Sequence, residues 1–208
     1  TTASAEGNPN GPLIDGWVLP EAPARLFARG EYNRVPVMMG ALAEEYFGLQ
    51  AGAAEISEAD LDAFLTRRFG VDGLALKMGY QGLIELSPIS AQKAIAGDNG
   101  FIRTVRDWAR LISANNDTAY VYYFSRPVPV FRLYMPSMPD LAGDGGARSL
   151  GAYHSGELAY VFDNLSTVGI GWGPDDHLLS ATIADYWFNF AQSGNPNAPG
   201  LPSWPAYE

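Results

Sequence analysis

Apolar residues fall along this chain in two kinds of spacing, continuous short runs and helical repeats. Val35-Pro-Val-Met-Met-Gly40 is apolar on both faces and ends in glycine. That pattern predicts a buried strand, as in a sheet covered by helices. Ala119-Tyr-Val-Tyr-Tyr-Phe124 is aromatic and β-branched and predicts a second strand, ended by Pro127 and Pro129. Leu61, Phe64, Leu65 and Phe69 fall at helical spacing behind Ser57-Glu-Ala-Asp60, with Gly70 as the stop. The tetrapeptide resembles a capping box in which Asp replaces the usual Glu or Gln. Phe101, Val105, Trp108, Ala109 and Ile112 predict a second helix, with Arg103, Arg106, Asp107 and Arg110 on its other faces. A third runs from about Ser180 through Ile183, Tyr186, Trp187 and Phe190, with Gly194 and Pro196 closing it. Thr1 to Gly16 read as a loop, and Pro136 to Gly151 as a connection that is surface loop or active-site rim. Strands separated by helical stretches predict an α/β architecture with a largely parallel sheet. Gly-Asn-Pro-Asn occurs twice, at Gly7 and Gly194, within unlike flanks. Two turns, not an internal repeat, account for it.

Composition narrows the chemistry. The 208 residues carry 13 basic and 23 acidic side chains, a formal charge of −10. Such a balance disfavours nucleic acid and anionic membrane surfaces as partners, because both would repel it. Apolar residues at 47% suit a globular chain with a sizeable core. No apolar run approaches the roughly 20 residues a bilayer span needs. Cys is absent and His occurs only as His154 and His177, so thiolate and His-rich metal sites and a Cys nucleophile are excluded. The chain opens without Met and without a basic and apolar leader, which suggests a processed chain or a piece of something longer.

The candidate chemistry concentrates on one histidine. His154 follows a Gly-flanked loop in Gly151-Ala-Tyr-His-Ser-Gly-Glu157 and precedes an apolar run. A lone His is as a rule a packed or solvated residue. A loop at a strand end, however, lets an imidazole meet both a substrate and a carboxylate. His177, after Asp175 and Asp176, reads as a solvated first-turn residue. Glu44 and Glu45 follow the first strand by three residues. Paired loop acids are usually solvated, yet the C-terminal end of a buried strand is where α/β enzymes place catalytic groups. One of the two could orient an imidazole, with Tyr46 and Phe47 as an apolar wall. No serine sits in G-x-S-x-G, and Ser155, beside His154, cannot reach it in line. The chain thus offers an acid and a base without a nucleophile.

Several segments, in order along the chain, resemble the type-B carboxylesterases, the family of the cholinesterases and bacterial para-nitrobenzyl esterases. They are Pro12-Leu-Ile-Asp-Gly16 with Leu19-Pro20, Asn33-Arg-Val-Pro-Val-Met-Met-Gly40 with Glu44-Glu45, and Val121-Tyr-Tyr-Phe124. Gly151-Ala-Tyr-His154 follows with Glu157-Leu158 and Tyr160-Val-Phe162, then Leu179-Ser180 and Tyr186-Trp-Phe-Asn-Phe-Ala191. Gly194-Asn-Pro-Asn197 and Ser203-Trp-Pro-Ala-Tyr207 complete the set.

The resemblance implies an α/β-hydrolase fold of which residues 1–208 form the C-terminal portion, with chain order Ser, acid, His. It places the general base on His154 and the triad acid on Glu45, with Glu44 as fallback, since Tyr46 replaces the family's usual glycine. Glu157 matches a buried, hydrogen-bonded structural position. The nucleophile and the oxyanion donors belong to an N-terminal segment, the expected partner, whose loss would expose a sheet edge. The implied substrate is a small carboxylic ester, with Phe47 and Leu49 as candidate pocket residues and no metal or organic cofactor. Lack of Cys removes the disulfides frequent in secreted animal members and points toward a bacterial source. The alternative implied by the same resemblance is a cholinesterase-like binding or adhesion domain that keeps the fold and loses the chemistry.

Overall fold

The computed structural model describes residues 13–50, 53–128, 151–167 and 171–208. Two strands carry the site. β1 (Val37–Leu42) and β2 (Ala119–Phe124) pair in parallel, with Val37 opposite Ala119 and Leu42 opposite Phe124. Parallel neighbours need a long crossover, and among its described residues the regular elements are all helical. Among the described residues the sheet has only these two strands.

β1 runs two residues later than the apolar run predicts. Pro36 has no N–H to give the ladder, so pairing begins when Val37 N–H donates to the Thr118 carbonyl. Gly40 does not stop the strand. It lies inside it, because the Tyr122 ring of β2 occupies the space a Cβ would take, 2.3 Å away. Pairing then continues through Ala41 and Leu42, both buried, while Val37 to Gly40 are only half-buried.

α1 (Pro23–Ala28) precedes β1, and α2 (Glu45–Leu49) follows it. α3 (Glu58–Phe69) starts as predicted: Ser57 Oγ accepts from Asp60 N–H, and Asp60 accepts from Ser57 N–H. The apolar runs behind it form α4 (Gly73–Gly79), α5 (Gln81–Leu86) and α6 (Pro88–Gly97), three helices the spacing argument did not reach. A π-helical turn, Asp98–Ile102, joins α6 to α7 (Arg103–Ala114). The helix predicted from Phe101 is therefore the second half of a longer helical run. Arg103, Arg106, Asp107 and Arg110 are exposed as expected.

After β2 come α8 (Leu158–Val161) and α9 (Pro174–Ser193). α9 begins six residues before Ser180. Its first turn is polar on the surface, so apolar spacing hides it; Pro174 and the two acids behind it are the start signal. Pro129 and the stretch from Pro136 to Leu150 lie outside the described residues, as does the opening loop up to Pro12.

Three apolar clusters hold the described chain together. Ala109, Ile112 and Ala119 pack α7 under the sheet with Val37, Met39 and Val121. Leu61, Leu65, Ile84, Ala91 and Ile95 tie α3, α5 and α6 into a helical unit. Leu42, Phe124, Val128, Ala152, Tyr160 and Leu165 join the strand ends to the loop that carries His154. No helix among the described residues is long and apolar enough to cross a membrane.

Candidate active site

The C-terminal ends of both strands deliver the site. β1 ends at Leu42, and the chain turns into α2, of which Glu45 is the first residue. Glu45 is 3% exposed. Its Oε1 accepts from the Leu42 N–H at 2.8 Å, and its Oε2 accepts from His154 Nδ1 at 2.6 Å. Both oxygens are thereby engaged, and the carboxylate cannot swing away.

His154 arrives on a tight turn. Gly156 N–H donates to the Tyr153 carbonyl at 2.8 Å, with His154 and Ser155 between them. Ser155 holds φ at +68°, a left-handed conformation that turns require and that glycine usually supplies. Strain of this kind clusters where a side chain must be aimed. In the neutral imidazole, donation from Nδ1 to the Glu45 carboxylate leaves a lone pair on Nε2. Nε2 has no hydrogen-bond partner among the described residues, and the side chain is 38% exposed. The Phe101 ring packs on the imidazole at 5.3 Å, and Tyr46 in turn packs on Phe101 at 5.9 Å. An oriented imidazole with a free nitrogen can remove a proton from a hydroxyl brought to it.

Of the two acids left open by the sequence, Glu45 meets the imidazole. Glu44 faces the neighbouring backbone: its Oε2 accepts from Ala152 N–H at 2.7 Å. Phe47 is half-buried beneath the Lys93 ammonium, 5.7 Å away. Leu49 is 53% exposed. His177 is exposed on the first turn of α9, as expected.

Glu157 is half-buried, short of the full burial the sequence reading gave it, and shares a hydrogen bond with the Tyr122 hydroxyl, as that reading expected. Its Oε2 is buried without a hydrogen-bond partner. Burial, with the nearby Glu45 charge, raises its pKa above the ordinary carboxylate value. Burial likewise pushes the Tyr122 hydroxyl up to about 12, aided by Glu157 and Glu45. A cavity of about 500 Å³ opens beside them, lined by Tyr122, Arg126, Glu157, Ile183, Trp187 and Trp204.

Behind the turn lies a polar support that the sequence reading missed. Asp176 is fully buried, with Arg126 Nε donating to it at 2.9 Å, Tyr160 Oη at 3.0 Å and Gly173 N–H at 2.9 Å. This ties the exit of β2, the helix after His154 and the start of α9 to one carboxylate. Phe101 was also missed as a site residue. It was read as a core position, but the π-helical turn redirects it onto His154. Asn99-Gly100 inside an apolar helical pattern is the signal that could have flagged the irregularity.

Comparison with known proteins fixes the family. The profile of the Carboxylesterase family matches residues 86–208. The chain belongs to the carboxylesterase family. Liver carboxylesterase 1 of Oryctolagus cuniculus is 26% identical over 211 residues, covering 94% of this chain and 35% of that protein. Fumonisin B1 esterase of Sphingopyxis macrogoltabida is 26% identical over 208 residues, covering 96% and 35%. A solved carboxylesterase of Geobacillus stearothermophilus superposes with a TM-score of 0.74 at 25% identity, over 95% of this chain and 39% of that one. A PNB esterase superposes at 0.67 with 24% identity, over 94% and 37%, a likeness of fold. The architecture is accordingly part of an α/β-hydrolase fold, as the sequence led us to expect. This carboxylesterase-family chain spans 35% of the length of these two relatives.

Proposed function

We propose that this chain is the acid- and base-bearing, C-terminal portion of a serine carboxylesterase. The carrying observation is the 2.6 Å contact from His154 Nδ1 to a buried Glu45 that is pinned on its other oxygen. In this reading a serine hydroxyl from an N-terminal segment of the same enzyme attacks the ester carbonyl. His154 Nε2 takes the hydroxyl proton, then gives it to the departing alcohol. Water repeats the cycle on the acyl-serine, with His154 again the base. Glu45 keeps Nδ1 protonated and stabilises the imidazolium that forms in each half-reaction. Backbone N–H groups of the N-terminal segment bind the oxyanion. Supporting a separate source for the nucleophile, no serine here stands in G-x-S-x-G, and one edge of β1 pairs with no strand among the described residues, which suits an added one. Phe47 and the outward-facing Leu49, just past the acid, then line the ester pocket once that segment covers them.

The test is turnover of a para-nitrophenyl ester by the complete enzyme. His154→Ala is expected to lower kcat by about 10⁴-fold or more, and Glu45→Gln by somewhat less. Unchanged turnover in His154→Ala would falsify the assignment. Absence of turnover by the complete parent protein would favour the binding-domain reading instead, and a residue other than serine at the expected nucleophile position of the N-terminal segment would establish it.

A further inference from the structure

Adjacent glutamates grip one loop at two points. Glu45 holds the imidazole of His154, and Glu44 holds the backbone two residues earlier. Ala152 N–H donates to Glu44 Oε2 at 2.7 Å, and Glu44 N–H donates to the Ala152 carbonyl at 3.1 Å. A one-residue parallel bridge between Glu44 and Tyr153 continues the contact. Ala152 is fully buried, so its N–H has no recourse to water if the carboxylate is withdrawn. On the far side, Val128 N–H donates to the Gly151 carbonyl at 3.0 Å. Gly151 itself is fitted to the carboxylate. It holds φ at +65°, and a Cβ there would sit 2.6 Å from Glu44 Oε2.

We propose that Glu44 is a positioning residue for the esterase reaction, its carboxylate acting as a clamp that sets the distance between the His154 turn and Glu45. The inference rests on the catalytic reading of His154 and Glu45 and assigns Glu44 no contact with substrate. Glu44 serves as a hydrogen-bond acceptor, not as a charge. Its amide isostere keeps an oxygen for the Ala152 N–H, whereas alanine leaves that N–H unpaired and frees the loop by one of its anchors. A catalytic group misplaced by about 1 Å costs on the order of a hundredfold in rate.

The experiment compares Glu44→Ala with Glu44→Gln in the complete enzyme, reading ester kinetics, the low-field proton resonance of His154 Nδ1, and amide exchange at Ala152. For Glu44→Ala we expect kcat to fall about a hundredfold with KM little changed, as lost alignment predicts. The low-field resonance should broaden, and Ala152 exchange should quicken at least about tenfold. Glu44→Gln should restore all three readouts to near the parent. Equal losses in both variants would overturn the proposal, because charge rather than acceptance would then matter. So would a fall in kcat with the resonance and the exchange unchanged. The exchange measurement needs no turnover. A failure of the catalytic reading, seen in His154→Ala, is therefore distinguishable from a failure of the clamp.

Discussion

The helical unit of α3, α5 and α6 and the lobe around β2, α8 and α9 are held by different means. In the first, Leu61, Leu65, Ile84, Ala91 and Ile95 are buried, and the polar links lie outside the cluster. Lys77 bridges Glu58 and Asp62 at 2.6 Å each, in partly solvated pairs that contribute little. In the second, the core encloses charge. Asp176 and Ser180 are buried there and Glu45 is buried beside it, at the start of α2, and each is hydrogen-bonded to groups remote in sequence. An apolar cluster tolerates other apolar side chains of similar volume, whereas a buried carboxylate demands particular partners in particular places. The second lobe spends stability on precision, and it is the lobe that aims His154.

Removing Asp176 should break this contrast most visibly. Asp176→Ala orphans Arg126, the Tyr160 hydroxyl and the Gly173 N–H, and should cost about 4 kcal/mol in equilibrium denaturation of the complete protein. A loss below about 1 kcal/mol would mean that water replaces the carboxylate and that the lobe is not held by it. Leu61→Ala should cost about 3 kcal/mol by opening a cavity in the helical unit. Hydrogen exchange should then quicken in α3 and α6 while the His154 turn keeps its protection; uniform loss would show that the two regions unfold as one. Ser57→Ala removes the cap of α3 and should cost about 1 kcal/mol, read by the same denaturation.

Acid titration sharpens the comparison with a smaller effect. Burial pushes Asp176 up, but Arg126, the Gly173 N–H and Tyr160 outweigh it and hold the carboxyl below 3.8. Its stabilisation is complete above that unfolded value and is lost as pH falls through the folded one. Glu157 has the opposite sign. Raised above 4.5 by burial, it binds its proton more tightly in the folded chain, so stability declines as pH rises from 4.5 through the folded value. Glu157→Gln should remove that decline from a plot of Tm against pH. A profile identical to the parent's would refute the burial of this acid.

Much of the scaffold was legible from side-chain periodicity. β2, the capping box of α3 and the exposed face of α7 need only local spacing and capping chemistry, and all three stand as read. α4, α5 and α6 were not legible. They are short helices with glycine and proline at their joints, and local propensity does not distinguish them from turns. The start of α9 escaped because its buried first-turn group is an aspartate, which apolar spacing cannot register.

The sequence alone determined the ingredients: a parallel α/β scaffold, an imidazole in a glycine-flanked loop, two acids after a strand, and no elbow serine. Spacing left open which acid meets the imidazole; the family resemblance named Glu45, and the tertiary structure brings that residue to the ring. Glu45 and His154 are separated by 109 positions, and no local pattern carries a contact of that span. The choice follows from where β1 ends. Glu45 folds inward at the first residue of α2 with its second oxygen fixed by Leu42, while Glu44, one step earlier, points to the backbone of Ala152. Successive side chains leaving a strand face opposite ways, so one residue of register separates the acid that holds the ring from the acid that holds the loop.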